Sequence, residues 1–200
     1  MRWAPSRLRG RRLRRVGGRS RTVYLAAAMA LVPATASARA QLSSGLEVGV
    51  AGLGDGARAW ASTKLDLGVR LEAVYGREGP RDWGVGPLVQ VRTPWFHGAD
   101  YGAGLVVLAP VDPTFPLWFG AGGYERRLAG AWSPGVSAFV GFGSRGFNYH
   151  SRYSMTYGFL IDVRATFGEV KSVDTIACLD LDFEGLLLPA LYVIGLVRGG

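Results

Sequence analysis

The sequence predicts an all-β chain: an antiparallel up-and-down barrel of about eight strands, preceded by a secretory signal peptide. Three observations predict it. A basic, then apolar, then small-residue leader fills residues 1–40. Apolar and polar residues then alternate with a period of two, and no helical period stands out over residues 41–168. Clusters of Gly, Pro, Asp and Ser interrupt that alternation at fairly even intervals.

The leader explains the charge. The chain carries 23 Lys and Arg against 15 Asp and Glu, a net charge of +8. Nine arginines lie within residues 2–22, Arg39 is a tenth, and the first acid is Glu47. The rest therefore holds 13 basic and 15 acidic residues, a net of −2. The excess belongs to the n-region of a signal peptide, which argues against a nucleic-acid-binding arm. An apolar run over Val23–Val32 stops at Pro33, and Ala38-Arg39-Ala40 offers an A-x-A cleavage site before Gln41. Ala34-Thr35-Ala36 and Ala36-Ser37-Ala38 are alternative sites. Val16-Gly17-Gly18 after Arg14-Arg15 lacks the apolar residues of a twin-arginine signal, so general secretion is the expected route.

Composition excludes several classes. At 48% hydrophobic and 19% charged residues, the chain is not of disordered type. No apolar stretch of ~20 residues follows the leader, so a multi-helix membrane protein is excluded. One cysteine, Cys178, excludes a disulfide scaffold and a Cys-rich zinc module.

The clearest strands are Lys64–Gly76, Met155–Gly168 and Val173–Glu184. In the first, Leu65, Leu67, Val69, Leu71, Ala73 and Tyr75 share one face and alternate with Lys64, Asp66, Gly68, Arg70 and Glu72. In the second, Tyr157, Phe159, Ile161 and Val163 alternate with Gly158, Asp162 and Arg164. In the third, Val173, Leu179, Leu181 and Phe183 alternate with Asp174, Cys178, Asp180 and Asp182. Weaker copies cover Gly45–Leu53, Trp83–Thr93, Asp100–Ala109, Phe115–Tyr124 and Trp132–Phe142. The segment 186–198 is apolar on both parities and contains Pro189; a ninth edge segment, a last strand and a short helix all stay open for it.

Alternation leaves the direction of the apolar row open. A soluble barrel turns it inward and a membrane barrel turns it toward lipid. Eight strands enclose an interior only just filled by side chains, and these rows of Leu, Val, Ile, Phe, Tyr and Trp would overfill it. Many glycines share the polar parity, among them Gly68, Gly120, Gly135, Gly141 and Gly158, where they make room for Arg and Glu in a crowded lumen. Tyr75, Trp83, Trp95, Phe96, Tyr101, Phe115, Trp118, Trp132 and Phe142 cluster near strand ends, as interfacial girdles would. The apolar-outward barrel is therefore the favoured reading. A secreted or periplasmic soluble barrel that binds an apolar ligand is its alternative.

With this pattern of leader, mature chain of 160 residues, amphipathic strands and charged polar faces, the sequence resembles the small outer-membrane β-barrels of Gram-negative bacteria, of the OmpX/OmpA type. The resemblance covers nearly all of residues 41–200 and rests on no specific motif. It implies outer-membrane location, dependence on secretion and barrel-assembly machinery, contact with outer-membrane lipid, and a monomeric, non-enzymatic role that is structural, adhesive or that of a minor pore. The chain departs from that pattern in two ways. It ends Leu196-Val197-Arg198-Gly199-Gly200 rather than in a terminal aromatic residue, and its longest connection, over residues 144–154, falls on the short-turn side.

The candidate functional residues are the charges of the proposed lumen row: Glu47, Lys64, Asp66, Arg70, Glu72, Arg92, Asp162, Arg164, Asp180, Asp182 and Glu184. In a narrow lumen they must be paired or hydrated. The expected arrangement is a salt-bridge network filling the barrel, with an ion path as the alternative. Asp180-x-Asp182-x-Glu184 aligns three carboxylates, but four lumen bases compete with any metal, so no metal and no cofactor is expected. His150 and Ser151 could form a nucleophile–base pair of the kind used by barrel enzymes that deacylate lipid A, whose motif separates the two residues by one and follows with Asn. Here they are adjacent and would face opposite ways on a strand. Cys178 reads as a small lumen-facing side chain. No P-loop or dinucleotide fingerprint occurs.

Overall fold

A computed structural model describes residues 40–54, 58, 60–94, 96, 98–145, 155–168 and 171–182. Residues 1–39 of the predicted leader, Trp95, His97, His150, Ser151, Glu184 and the segment 186–198 lie outside the described residues.

Eight strands follow one another: β1 (Gln41–Leu53), β2 (Ser62–Val74), β3 (Gly84–Pro94), β4 (Gly98–Ala109), β5 (Leu117–Leu128), β6 (Ala131–Arg145), β7 (Thr156–Thr166) and β8 (Ser172–Asp182). Every neighbouring pair is antiparallel, and β8 pairs with β1, so the sheet closes with no free edge. Closure brings Asp182 beside Gly45, so β1 begins and β8 ends at the same mouth, here the terminal mouth. The opposite mouth is the hairpin mouth. It carries the connections 54–61, 95–97, 129–130 and 167–171; the terminal mouth carries 75–83, 110–116 and 146–155. The longest connection, 146–155, thus lies at the terminal mouth of the eight-strand topology.

Local chemistry sets the turns. Leu128 pairs with Ala131, which leaves a two-residue hairpin loop in which Ala129 (φ 48°) and Gly130 (φ 85°) are both left-handed, the backbone that matches strand twist. Between β4 and β5, Asp112 accepts the N–H groups of Thr114 and Phe115, which holds its exposed carboxyl below the ordinary range.

The strands alternate sharply between faces. Val69 is 40% exposed and Arg70 2%; Leu179 is 54% exposed and Asp180 0%. Twenty-eight large hydrophobic side chains are exposed among the described residues, against twelve buried hydrophobic residues, so the usual order of inside and outside is reversed.

Two details differ from expectation. Trp118 belongs to no outer girdle; it is fully buried inside the barrel. The polar-parity glycines make room for aromatic rings as much as for charges. A Cβ on Gly141 would stand 2.3 Å from the Trp118 indole, one on Gly120 2.5 Å from the Phe139 ring, and one on Gly135 2.4 Å from the Tyr124 ring. The inward rows therefore fit together by pairing large rings with glycines on neighbouring strands.

Candidate functional site

The interior of the barrel is the candidate site. Glu47, Asp66, Arg70, Glu72, Arg92, Asp162, Arg164, Asp180 and Asp182 all point inward and are buried. Lys64 is half-buried, two residues nearer the hairpin mouth than Asp66. Five buried charges were not among the candidates: Arg77, Asp100, Arg126, Arg145 and Asp174. β5 runs four residues past Tyr124, the expected end, and β6 runs three past Phe142. Their inward parity simply continues through Arg126 and Arg145. Extending the alternation across these charged strand ends would have found both.

These groups form an unbroken chain of alternating acids and arginines from one mouth to the other. Arg145 pairs with Glu72 at the terminal end. Glu72 lies 3.6 Å from Arg70, which reaches Glu47 at 3.4 Å and also binds Asp180. Glu47 lies 2.7 Å from Arg92 as an ion pair, and Arg92 contacts Asp66 at 3.0 Å and Asp162 at 3.1 Å. Asp162 accepts Arg164 at 2.7 Å, and Arg164 reaches Asp100 at 3.0 Å. Asp100 receives Arg126 through two bonds of 2.8 and 2.9 Å, and Arg126 closes the chain on Asp174. Guanidinium suits this role: its planar fork reaches several carboxylates at once and stays charged when buried.

Aromatic rings lie against the arginines. The Arg145 guanidinium stands 4.2 Å from the Trp118 ring centre, Arg70 stands 5.7 Å from Phe139, and Tyr124 faces both Arg164 at 5.1 Å and Arg126 at 5.6 Å. Tyr124 Oη also hydrogen-bonds Thr166 Oγ1 at 2.6 Å. Cys178 Sγ accepts Arg92 at 3.1 Å, so the thiol belongs to the same network. Among the described residues, no group of His, Cys, Asp and Glu has the geometry to hold a metal ion.

Chemically, the arrangement neutralises charge and fills space. Arginine does not release its proton in proteins, so a chain that alternates through guanidinium groups gives no acid–base relay. The outer face complements it. On β6 the outward row is Trp132, Pro134, Val136, Ala138, Val140 and Phe142. Ten residues at ~3.4 Å each, tilted by ~40°, separate the two aromatic ends by ~26 Å along the barrel axis, which matches an apolar band of ~25 Å. Tyr101 joins Trp132 at the hairpin end with 6.0 Å between ring centres, and Phe115 stacks on Phe142 at the terminal end.

No family model and no curated protein sequence matches the chain. Among solved structures it is similar to the outer membrane protein Ail of Yersinia pestis in a phospholipid bilayer nanodisc. The identity is 13% and the TM-score 0.36, over 70% of this chain and 99% of that one.

Proposed function

We propose that the chain is a bacterial outer-membrane β-barrel protein with a structural, non-enzymatic role and a sealed, charge-filled lumen. The observation that carries this reading is the reversal of faces: a continuous apolar exterior around eight strands and a buried ionic interior. An exposed apolar surface of that extent far exceeds the few hundred Å² usual on a soluble monomer, and lipid is the solvent that suits it. Residues 1–40 serve as the secretion signal, and the 41–200 product reaches the membrane through the barrel-assembly machinery as a monomer.

Of the roles open to such a barrel, a structural one fits best. Four short connections at the hairpin mouth leave little material for an adhesive surface. The ladder of ion pairs, with Trp118, Phe139 and Tyr124 beside it, leaves little room for a pore. A soluble barrel holding an apolar ligand has the opposite requirement, an apolar cavity inside.

The test is fractionation of cells expressing the full chain. Recovery in the outer-membrane pellet, with faster gel migration of the unheated sample than of the boiled one, is the expected result. Recovery in the soluble periplasm would overturn the membrane reading.

A further inference from the structure

Two adjacent arginines of β5 face opposite ways. Arg126 points into the lumen and spends its donors on Asp100, Asp174 and Ser172. Arg127 points outward and is exposed. Among the described residues it has no hydrogen-bond or ion-pair partner; its guanidinium lies against the Trp132 ring, 5.8 Å from the ring centre. Arg127 and Trp132 are register partners on β5 and β6. Tyr101 of β4 completes the cluster, with 6.0 Å between its ring centre and that of Trp132. Glu125, the next outward residue of β5 toward the middle of the band, is half-buried and forms no ion pair with Arg127.

The cluster stands at the hairpin end of the apolar band, where hydrocarbon gives way to headgroups. A guanidinium there offers five N–H donors in a planar fork. The face of Trp132 attracts it as a cation and so fixes where on the outer wall the fork sits. A cationic group is repelled by Arg127, and a neutral one leaves its charge unmatched. A phosphate accepts two parallel N–H bonds from the fork. Trp132 and Tyr101, 37% and 46% exposed, present apolar ring surface to the first carbons of a lipid chain. Glu125 lies one outward step deeper, ~5 Å along the barrel axis, so Arg127 is the outward charge of this strand nearest the headgroups.

We propose that Arg127, Trp132 and Tyr101 form a binding site for a phosphate-bearing lipid headgroup on the outer wall of β4, β5 and β6. The phosphate sits on the Arg127 fork, and the chains run along the outward row of β6 past Pro134, Val136 and Ala138. The inference rests on the membrane reading and adds to it one fixed lipid position on the barrel's perimeter.

The test uses protein purified in detergent from cells expressing the full chain. Mass spectrometry of the intact complexes counts bound lipid, with phosphatidylglycerol as the probe and diacylglycerol of the same chains as its phosphate-free control. Phosphatidylglycerol is expected to bind about tenfold more tightly than diacylglycerol, as one charge-assisted hydrogen bond implies. That preference should vanish in Arg127→Gln and fall about threefold in Trp132→Leu, which removes the ring beneath the guanidinium. Arg127→Lys should recover part of it, since the charge returns without the fork. Arg81→Gln, which changes an exposed arginine in the connection 75–83 at the other mouth, should leave it unchanged. Inorganic phosphate at the same concentration should not displace the lipid. An equal preference in the parent and in a folded Arg127→Gln protein, or displacement by inorganic phosphate, would overturn the site and leave the membrane reading intact. Binding of neither lipid would overturn the membrane reading, and the site with it.

Discussion

Arg92 on β3 and Asp162 on β7 meet at 3.1 Å, although their strands stand four places apart in the ring, the greatest separation eight strands allow. The contact crosses the lumen. It joins the Arg145–Glu72–Arg70–Glu47 half of the ion-pair chain to the Arg164–Asp100–Arg126–Asp174 half. Opposite walls of the barrel are thereby tied through side chains as well as through the closed sheet.

Arg92 is the centre of three carboxylates, Glu47, Asp66 and Asp162. Arg92→Met leaves all three buried without their shared cation, and removing one partner of such a set costs about 3–5 kcal/mol. Arg92→Lys recovers part of this, since an ammonium cannot fork among three acceptors. Adding Glu47→Gln and Asp66→Asn to Arg92→Met should restore stability relative to Arg92→Met alone, a strongly non-additive result. Urea unfolding of the folded protein in micelles measures each step. Simple additivity would mean that the three groups do not act as one unit.

The fit between Trp118 and Gly141 gives an independent prediction. A methyl group on Gly141 meets the indole at 2.3 Å, inside contact distance, and the ring is fixed by Arg145 on its face. Gly141→Ala is expected to cost about 1–3 kcal/mol by overpacking. In a Trp118→Leu background the same change should cost under ~1 kcal/mol, because the obstacle is gone. A cost unchanged by Trp118→Leu would place the strain in the backbone instead.

Much of this was legible in the sequence. All eight strands follow from period-two alternation, and Arg70, Asp162 and Asp180 could be assigned to one face because each sits between apolar neighbours of opposite parity. The rest was hidden for physical reasons. Arg126 and Arg145 occupy strand ends, where a charged residue is equally at home in a turn. Trp118 has inward parity, yet an aromatic residue near a strand end suits a membrane girdle as well. What places it inside is the pair of glycines, Gly141 and Gly158, on β6 and β7. That pairing depends on register between strands, which no single strand's sequence contains.

The packed lumen predicts electrical silence. Arg70, Arg92 and Arg164 are fully buried along the axis, with Trp118 and Phe139 filling space beside them. Purified protein in a planar lipid bilayer is expected to show no unitary conductance. Combining Arg92→Ala, Trp118→Ala and Phe139→Ala removes three large inward side chains and should open a small step. That step should favour cations, since Glu47, Asp66 and Asp162 remain. Conductance by the unaltered barrel would make the ladder the lining of a path rather than a seal.

Depth across the outer face separates a lipid-facing barrel from a soluble one. Val136 lies in the outward row of β6 near the middle of the apolar band, and Trp132 lies at its hairpin end. In lipid, Val136→Arg should cost about 2–4 kcal/mol and Trp132→Arg only about 0–1 kcal/mol from the charge itself, the gradient expected from bilayer midplane to interface. Tyr101→Arg, at the same level as Trp132, checks that the lost ring contact between those two is not the source of any difference. If instead the face met water, an arginine at Val136 would be solvated and nearly neutral in effect, within about 0.5 kcal/mol. Folding titrations in phospholipid vesicles measure the three substitutions. Equal costs at Val136 and Trp132 would remove lipid as the solvent of this surface.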